Sequence, residues 1–434
     1  MLPLFYACKA FLYIGIIIIL SVLHYTQFNA VRILEQHTYN QCPICGYPLT
    51  MDNAICPRCG NDIFEDVSSL DQQSPEFHHH NIEDKKAEWY TRCLTEKLNV
   101  STHDSAQPLS DKNDHQDTAR QAFNRTDELE YLRNISREEL LRDSTSRKKW
   151  WNTLTSDWKD VVKTTLKIVR APSEQELLAF FETTHLRCDN RRVHNLLPVR
   201  LLEKLQHLRC DESPVEDLEP LMHLKKLQYI YAFDCDFSSL EPLRNLTSLK
   251  LLWVSSTEIS SLEPISQLVN LEELYCSETM ITDLSPLKNL VKLQKLSCYK
   301  TGISSLEPIA HLENLIELGI NNSGIRDLTP LAGIKSLEYL RCNKTDIYSI
   351  EGLKSLSELR ELSIANTPLE SIDALEELNN LEELDISNTL VTSIAPIMHL
   401  QQLEKIELST GRVPDEELER FIELHPDCEV VLKP

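Results

Sequence analysis

Four cysteines near the start of the chain are the residues best placed to do chemistry. They stand as Cys42-Pro-Ile-Cys45-Gly46 and Cys56-Pro-Arg-Cys59-Gly60, two C-x2-C pairs separated by ten residues. Each pair can turn two thiolates toward one ion, and two pairs complete a tetrahedron of sulfurs. Gly46 and Gly60 follow the second cysteine of each pair, where a tight backbone turn opposes a side chain. Protein fills all four positions, so no place remains for water or substrate, and the metal is expected to be structural zinc. Iron accepts the same four ligands. Elsewhere chemistry is scarce. His78, His79 and His80 lie together in a polar stretch, where such a run is usually incidental. The chain contains no phosphate-cradling glycine loop, no H-E-x-x-H and no G-x-S-x-G, so an enzyme is not expected.

The elements around these cysteines are expected to place them beside a membrane. Residues 4–25, LFYACKAFLYIGIIIILSVLHY, are apolar apart from Lys9 and long enough to cross a hydrocarbon layer of about 30 Å. A signal peptide is the rival, but before Val31 the pair Phe28 and Ala30 makes a poor cleavage site. Residues 41–64 resemble the short zinc-ribbon modules of bacterial membrane proteins, a likeness confined to about 20 residues. Residues 65–124 turn polar, lack a sustained period and read as a flexible linker. Arg32 and Arg58 balance Lys9 and the amino terminus across the span, so charge leaves orientation open. The cysteines favour a C-terminal body in the reducing cytoplasm: they number 13 and several fall on buried repeat positions, which is no disulfide framework.

With 67 acidic against 44 basic residues, the formal charge is -23. That charge gives no general attraction to nucleic acid or anionic lipid. Residues 125–182 are expected to form a helical collar and N-terminal cap. Leu129, Leu132, Leu140 and Leu141, then Trp151, Leu154, Trp158, Val161, Val162 and Leu166, recur at three- and four-residue steps. Ser173 with Glu176 three residues on predicts a capping box for a helix running to about Phe181.

From residue 183 to 412 one unit of 22 residues repeats without insertion. Its first leucine recurs at Leu205, Leu227, Leu249, Leu271, Leu293, Leu315, Leu337, Leu359, Leu381 and Leu403, and a degenerate unit opening at Thr183 makes eleven coils. Periods of 20 to 29 with L-x-x-L-x-L spacing mark leucine-rich repeats. The half-turn Asp283-Leu284-Ser285-Pro286-Leu287 resembles the internalin-type class of bacterial leucine-rich repeats, whose fold is an α/β solenoid with a curved parallel sheet, here of about eleven strands. Where that family often carries asparagine, this chain has Thr257, Thr279, Thr301, Thr345, Thr367 and Thr389, with Ser323 and Cys235. Their side chains are expected to bond the turn backbone with less reach. Fourth and sixth positions, such as Leu274 and Cys276, should face the core. Cys188, Cys210, Cys298 and Cys342 share the sixth position and read as small buried hydrophobes. Residues 413–434 supply a helix and a final strand to close the open end.

Third, fifth and seventh positions face outward on the concave side, and there the coils differ. Tyr229, Tyr231, Phe233, Leu251, Trp253 and Tyr275 collect on three consecutive coils, with Arg187 and Arg209 before them, Tyr299 after them, and an acidic stretch from Glu361 to Glu407. Clustered Trp, Tyr and Arg are what binding hot spots are made of. The sequence thus predicts a membrane-anchored scaffold or receptor that captures a protein or peptide on this face. An exported internalin-like adhesin and an adaptor subunit of an enzyme are the alternatives. The tryptophan-rich collar could also fold back over the patch and bury it.

Overall fold

The structure is a computed structural model that describes residues 126–434. The expected membrane span, zinc ribbon and linker all lie outside the described residues. Five helices open the described part: α1 (126–134), α2 (Arg137–Arg142), α3 (Ser144–Thr153), α4 (Ser156–Leu166) and α5 (Glu174–Phe180). Side-chain caps explain why the chain breaks into such short pieces. Ser136, Asp143, Thr155 and Ser173 each accept from a backbone N–H in the first turn of the helix that follows, which satisfies donors that no helix can satisfy itself. The capping box forms as expected, with Ser173 N–H donating to Glu176 Oε2 at 2.7 Å and Glu176 N–H to Ser173 Oγ at 3.4 Å.

The apolar faces of these helices meet around Trp150, which packs 5.0 Å from the Phe181 ring and 5.8 Å from Phe180. The tryptophans therefore belong to the interior of the collar. Trp158 reaches the first coil, its indole N–H donating to the Asn195 carbonyl at 3.1 Å. Arg200 returns the link by donating to the Leu132 carbonyl at 3.0 Å. The collar seals the N-terminal end of the repeat array, where α4 packs against β1 (His185–Arg187).

Twelve parallel strands follow in strict sequence order. They are β1, then β2 (His207–Arg209), β3 (Tyr229–Tyr231), β4 (Leu251–Trp253), β5 (Glu273–Tyr275), β6 (Lys295–Ser297), β7 (Glu317–Gly319), β8 (Tyr339–Arg341), β9 (Glu361–Ser363), β10 (Glu383–Asp385), β11 (Lys405–Ser409) and β12 (Glu429–Lys433). Neighbours pair in register, so equivalent repeat positions stack in rows: Leu252 pairs with Leu274, and Trp253 with Tyr275. Eleven strands come from the eleven coils. The twelfth belongs to the C-terminal cap, preceded by helix α6 (Asp415–Leu424).

Each coil closes by the same local devices. On the convex side a turn of 3-10 helix begins at the half-turn motif, as in Ser285–Asn289. The Asp or Ser two residues ahead accepts its first N–H: Asp283 from Ser285 at 2.8 Å, Ser239 from Glu241 at 3.2 Å. Proline at the second helical position loses no bond there, because that N–H has no partner within the turn. Where the proline gives way to Gly352, a Cβ would sit 2.3 Å from the Leu328 carbonyl oxygen, so the close approach of two coils requires glycine. The threonines do bond to backbone, each within its own coil: Thr257 donates to Val254 O, Thr279 to Cys276 O and Thr345 to Cys342 O, all at 2.7 Å. Cys235 and Ser213 instead reach back to the preceding coil, at Cys210 O (3.2 Å) and Cys188 O (3.0 Å).

The eighth position of the coil holds a left-handed backbone without glycine. Asn190, Glu212, Asp234, Ser256, Glu278, Lys300, Asn322, Lys344, Asn366 and Asn388 all have φ between 51° and 59°. Half of them are Asn or Asp, the side chains that tolerate this region best. That bias was the available signal, and the period alone did not draw attention to it.

Candidate functional site

The core rows behave as the repeat requires. Leu274, Cys276 and the sixth-position cysteines Cys188, Cys210, Cys298 and Cys342 are fully buried. Burial pushes the Cys276 thiol up to about 12, and those of Cys188, Cys298 and Cys342 also well above their ordinary range, while at Cys210 a hydrogen bond with Cys235 and then burial do the same. They stay protonated and inert, as the packing reading expects. Function must therefore lie on the outward rows.

On the third-position row, the imidazoles of His185 and His207 stack at 4.0 Å, and His207 stacks on Tyr229 at 4.3 Å. Burial, then the neighbouring His185, holds the His207 imidazole below its ordinary pKa. On the fifth-position row the Arg209 guanidinium lies 5.3 Å from the Tyr231 ring centre. From Tyr231 the rings continue to Trp253 at 6.3 Å and on to Tyr275 at 5.1 Å, and Phe233 joins Trp253 at 5.0 Å. These are the tilted separations at which aromatic pairs attract. The strand ladder spaces successive coils by about 4.8 Å, so side chains on one row meet without any turn of the backbone. Tyr275 donates to Glu273 Oε2 at 2.7 Å, and burial together with this bond raises its phenol well above the usual range.

The structure thus brings Arg209, Tyr229, Tyr231, Phe233, Trp253 and Tyr275 together on one face. Three expected members have a different setting from the one the sequence suggested. Leu251 is only 8% exposed, enclosed in its row between Tyr229 and Glu273, so it supports the patch from beneath. Arg187 and Arg209 are held by ion pairs two residues along, to Asp189 (3.1 Å) and Asp211 (2.9 Å). They present oriented guanidinium edges in place of unpaired charge. Tyr299 stands one coil beyond Tyr275, with the Lys300 ammonium 6.0 Å from its ring centre. Between Tyr275 and Arg341 the row falls to Ser297 and Gly319, and a Cβ on Gly319 would touch Ser297 Oγ at 3.3 Å. A shallow step follows the aromatic patch.

Below the two arginines lies a group of carboxylates that the sequence did not single out. Asp211 is 1% exposed, and burial, only partly offset by Arg209, raises its pKa. Glu212 is pushed up to about 7 by burial, then by Asp211, Asp234 and Asp189. The repeat frame could have shown this group, since sites seven and eight of the first three coils are acidic at four places.

The acidic stretch at the other end of the face is closed within the fold. Arg341 bridges Glu317 (3.2 Å) and Glu361 (2.8 Å), and Arg360 bridges Glu338 (3.5 Å) and Glu382 (2.6 Å). Lys405 pairs with Glu407 at 2.7 Å, and Lys433 pairs with Asp385 and Glu407. Four cations thus hold six carboxylates, so the stretch from Glu361 to Glu407 is bridged within the fold while keeping an excess of negative charge.

Residues 247–289 match the family profile described as Leucine Rich repeats (2 copies). The coils are leucine-rich repeats. No curated protein matches the chain. Among solved structures, an internalin from Listeria monocytogenes is similar over 64% of this chain and 90% of its own, with a TM-score of 0.57 and 23% identity. A TDR receptor is similar over 58% of this chain and 47% of its own, with a TM-score of 0.51 and 19% identity. At these identities the likeness is one of fold: a leucine-rich repeat solenoid like those of this internalin and this receptor.

Among the described residues no group of His, Cys, Asp and Glu side chains could hold a metal ion, and no helix is long and apolar enough to cross a membrane.

Proposed function

We propose that this leucine-rich repeat protein is a membrane-anchored scaffold or receptor without catalytic activity of its own, which captures a protein or peptide on the concave face of β2 to β5. The reading rests on one observation: the linked rings of Tyr231, Phe233, Trp253 and Tyr275 lie on the outer face of the sheet, while the collar that could have covered them is docked on the β1 end. A solvated sheet face gains nothing from such a cluster. Aromatic and arginine side chains fixed by their neighbours lose little entropy when a partner docks, which is how hot spots are built. Trp253→Ala and Tyr231→Ala should each weaken capture of the partner by about 2 kcal/mol or more, with the melting temperature unchanged, whereas Glu383→Ala should have little effect on either. Quantifying the protein retained from lysate by the full chain and its variants decides this. Equal retention by both aromatic variants removes the patch as the binding site.

Residues 4–25 would anchor the protein, with the repeat body in the cytoplasm. Cys42, Cys45, Cys56 and Cys59 would hold one structural zinc next to the anchor. The cysteines of the repeats are sealed in the core and out of reach of a metal ion. Cys45→Ser should abolish the single equivalent of zinc, and undiminished metal in that variant would rule the ribbon out.

A further inference from the structure

The two ends of the repeat sheet are finished differently. At the first strand the core-facing residue Leu186 is 2% exposed beneath the collar. At the last strand the row of Leu186 ends in Val430, beside Ile406, and the next core-facing row ends in Leu432, beside Leu408. Val430 is half-buried and Leu432 is 48% exposed, where Ile406 and Leu408 are at 0% and 2%. Helix α6 covers the final coil through Phe421, yet its own Ile422 and Leu424 are 47% and 45% exposed. Among the described residues, β12 has β11 as its sole neighbour. Among the described residues the cap ends the core without closing the sheet.

The pairing of β12 fixes which of its backbone groups are left over. Glu429 N–H donates to Glu404 O at 2.7 Å, and Lys433 O accepts from Thr410 N–H at 2.8 Å. In a parallel ladder alternate residues point both groups to the same side, so Glu429, Val431 and Lys433 are used by β11. The N–H and C=O of Val430 and Leu432 point outward. The strand reads Glu429-Val-Val-Leu-Lys433, which is self-complementary in the antiparallel sense about Val431. A second copy turned by a two-fold axis through Val431 places its Leu432 opposite Val430, where the outward groups exchange hydrogen bonds in both directions. The same operation sets Glu429 opposite Lys433 at both ends of the pair.

We propose that β12 is an association edge, and that its occupant is a second copy of this chain paired antiparallel through residues 429–433. Apolar Val430 and Leu432 continue the core rows across the junction, and the two Glu–Lys contacts fix the register. A Pro, Lys and Glu on a strand edge also serve to discourage pairing, but here their placement matches the two-fold. Five residues of strand bury less than the roughly 1,200 Å² of a stable interface, so the association is weak and promoted by crowding. It is independent of the concave-face reading, because the aromatic coils lie at the other end of the sheet.

Trapping tests it. Val431 meets its own copy in a non-hydrogen-bonded pair, with Cα atoms about 4.5 Å apart, inside the range a disulfide spans. In the full chain under mild oxidation, Val431→Cys should form covalent dimer at least tenfold faster than either the unmodified chain or Glu376→Cys, an exposed control on the ninth coil. Adding Leu432→Pro removes one outward N–H without touching the bonds to β11 and should abolish the trap. Adding Lys433→Glu should slow it, and Glu429→Lys with Lys433→Glu should restore it, since the pairs regain opposite signs although Lys433 has lost its intramolecular partners Asp385 and Glu407. Trapping no faster than the Glu376→Cys control, or trapping indifferent to both Leu432→Pro and the charge reversals, overturns the proposal.

Discussion

The concave face is one sheet with two kinds of surface. On β2 to β5 the outward side chains are rings that touch one another and remain half-buried. On β8 to β11 they are charges, and each carboxylate of the Arg341 and Arg360 bridges finds its cation one coil away. The backbone beneath is the same in both regions. Charges on neighbouring strands complete one another at no further area, because a guanidinium has donors for two carboxylates at once. Rings cannot do this: stacking leaves their outer faces in water, and only another molecule can cover them. On the proposed reading the bridged region is the inert one, and the aromatic region is the one that takes a partner.

The comparison requires that the two regions share their core. Leu252→Ala and Leu384→Ala, both inward-facing and at most 1% exposed, should each destabilise the repeats by about 3 kcal/mol, measured by urea unfolding. A loss confined to one of them would mean that the halves differ below the surface as well. Arg341→Ala tests the charged half. Its side chain is 21% exposed and Glu361 14%, so removing it strands partly dehydrated carboxylates. About 1–2 kcal/mol of stability should be lost, and an unchanged midpoint would reduce the lattice to ornamental surface pairs.

The smallest effect is expected in the aromatic half, at Glu212. Its folded pKa, about 7, lies above the usual carboxylate value, so the folded state holds a proton that the unfolded chain releases near 4.5. Stability then falls as pH rises between those two values and stays reduced above 7. Glu212→Gln should raise the melting temperature at pH 8 and leave it unchanged at pH 4. Equal shifts at both pH values would indicate a packing effect with no link to ionisation.

Much of this was legible in the sequence because eleven coils repeat the same environment. Leu252, Leu274 and Leu296 occupy equivalent sites, so the period identifies the buried rows. The Ser173 to Glu176 capping box is local and equally readable. The outward rows resist such reading. Whether Leu251 is open or enclosed depends on Tyr229 and Glu273 beside it, and whether Glu361 is a free acid depends on Arg341 twenty residues earlier. These relations run across coils and have no period. The left-handed eighth position is periodic, but its residues are chosen by backbone tolerance and not by polarity, so hydrophobic patterning passes over it.

The hydroxyl bonds inside the turns have a consequence for how such a chain can change. From Thr257 onward the threonine or serine of each coil satisfies a carbonyl of its own unit. What crosses every junction is a backbone ladder and a row of leucines, joined at some junctions by particular side-chain bonds such as Asn270 to the Thr247 carbonyl and Arg341 to Glu361. Where a junction carries only the shared ladder and leucine row, duplication or loss of one whole coil breaks no turn hydroxyl bond, so the length of the array can drift over generations. The first coils lack that freedom. Ser213 and Cys235 reach backward to their predecessors, so these units are keyed to one another in order. The segment that carries the start of the aromatic face is thereby fixed in sequence, while the coils after it are free to lengthen or shorten the arm.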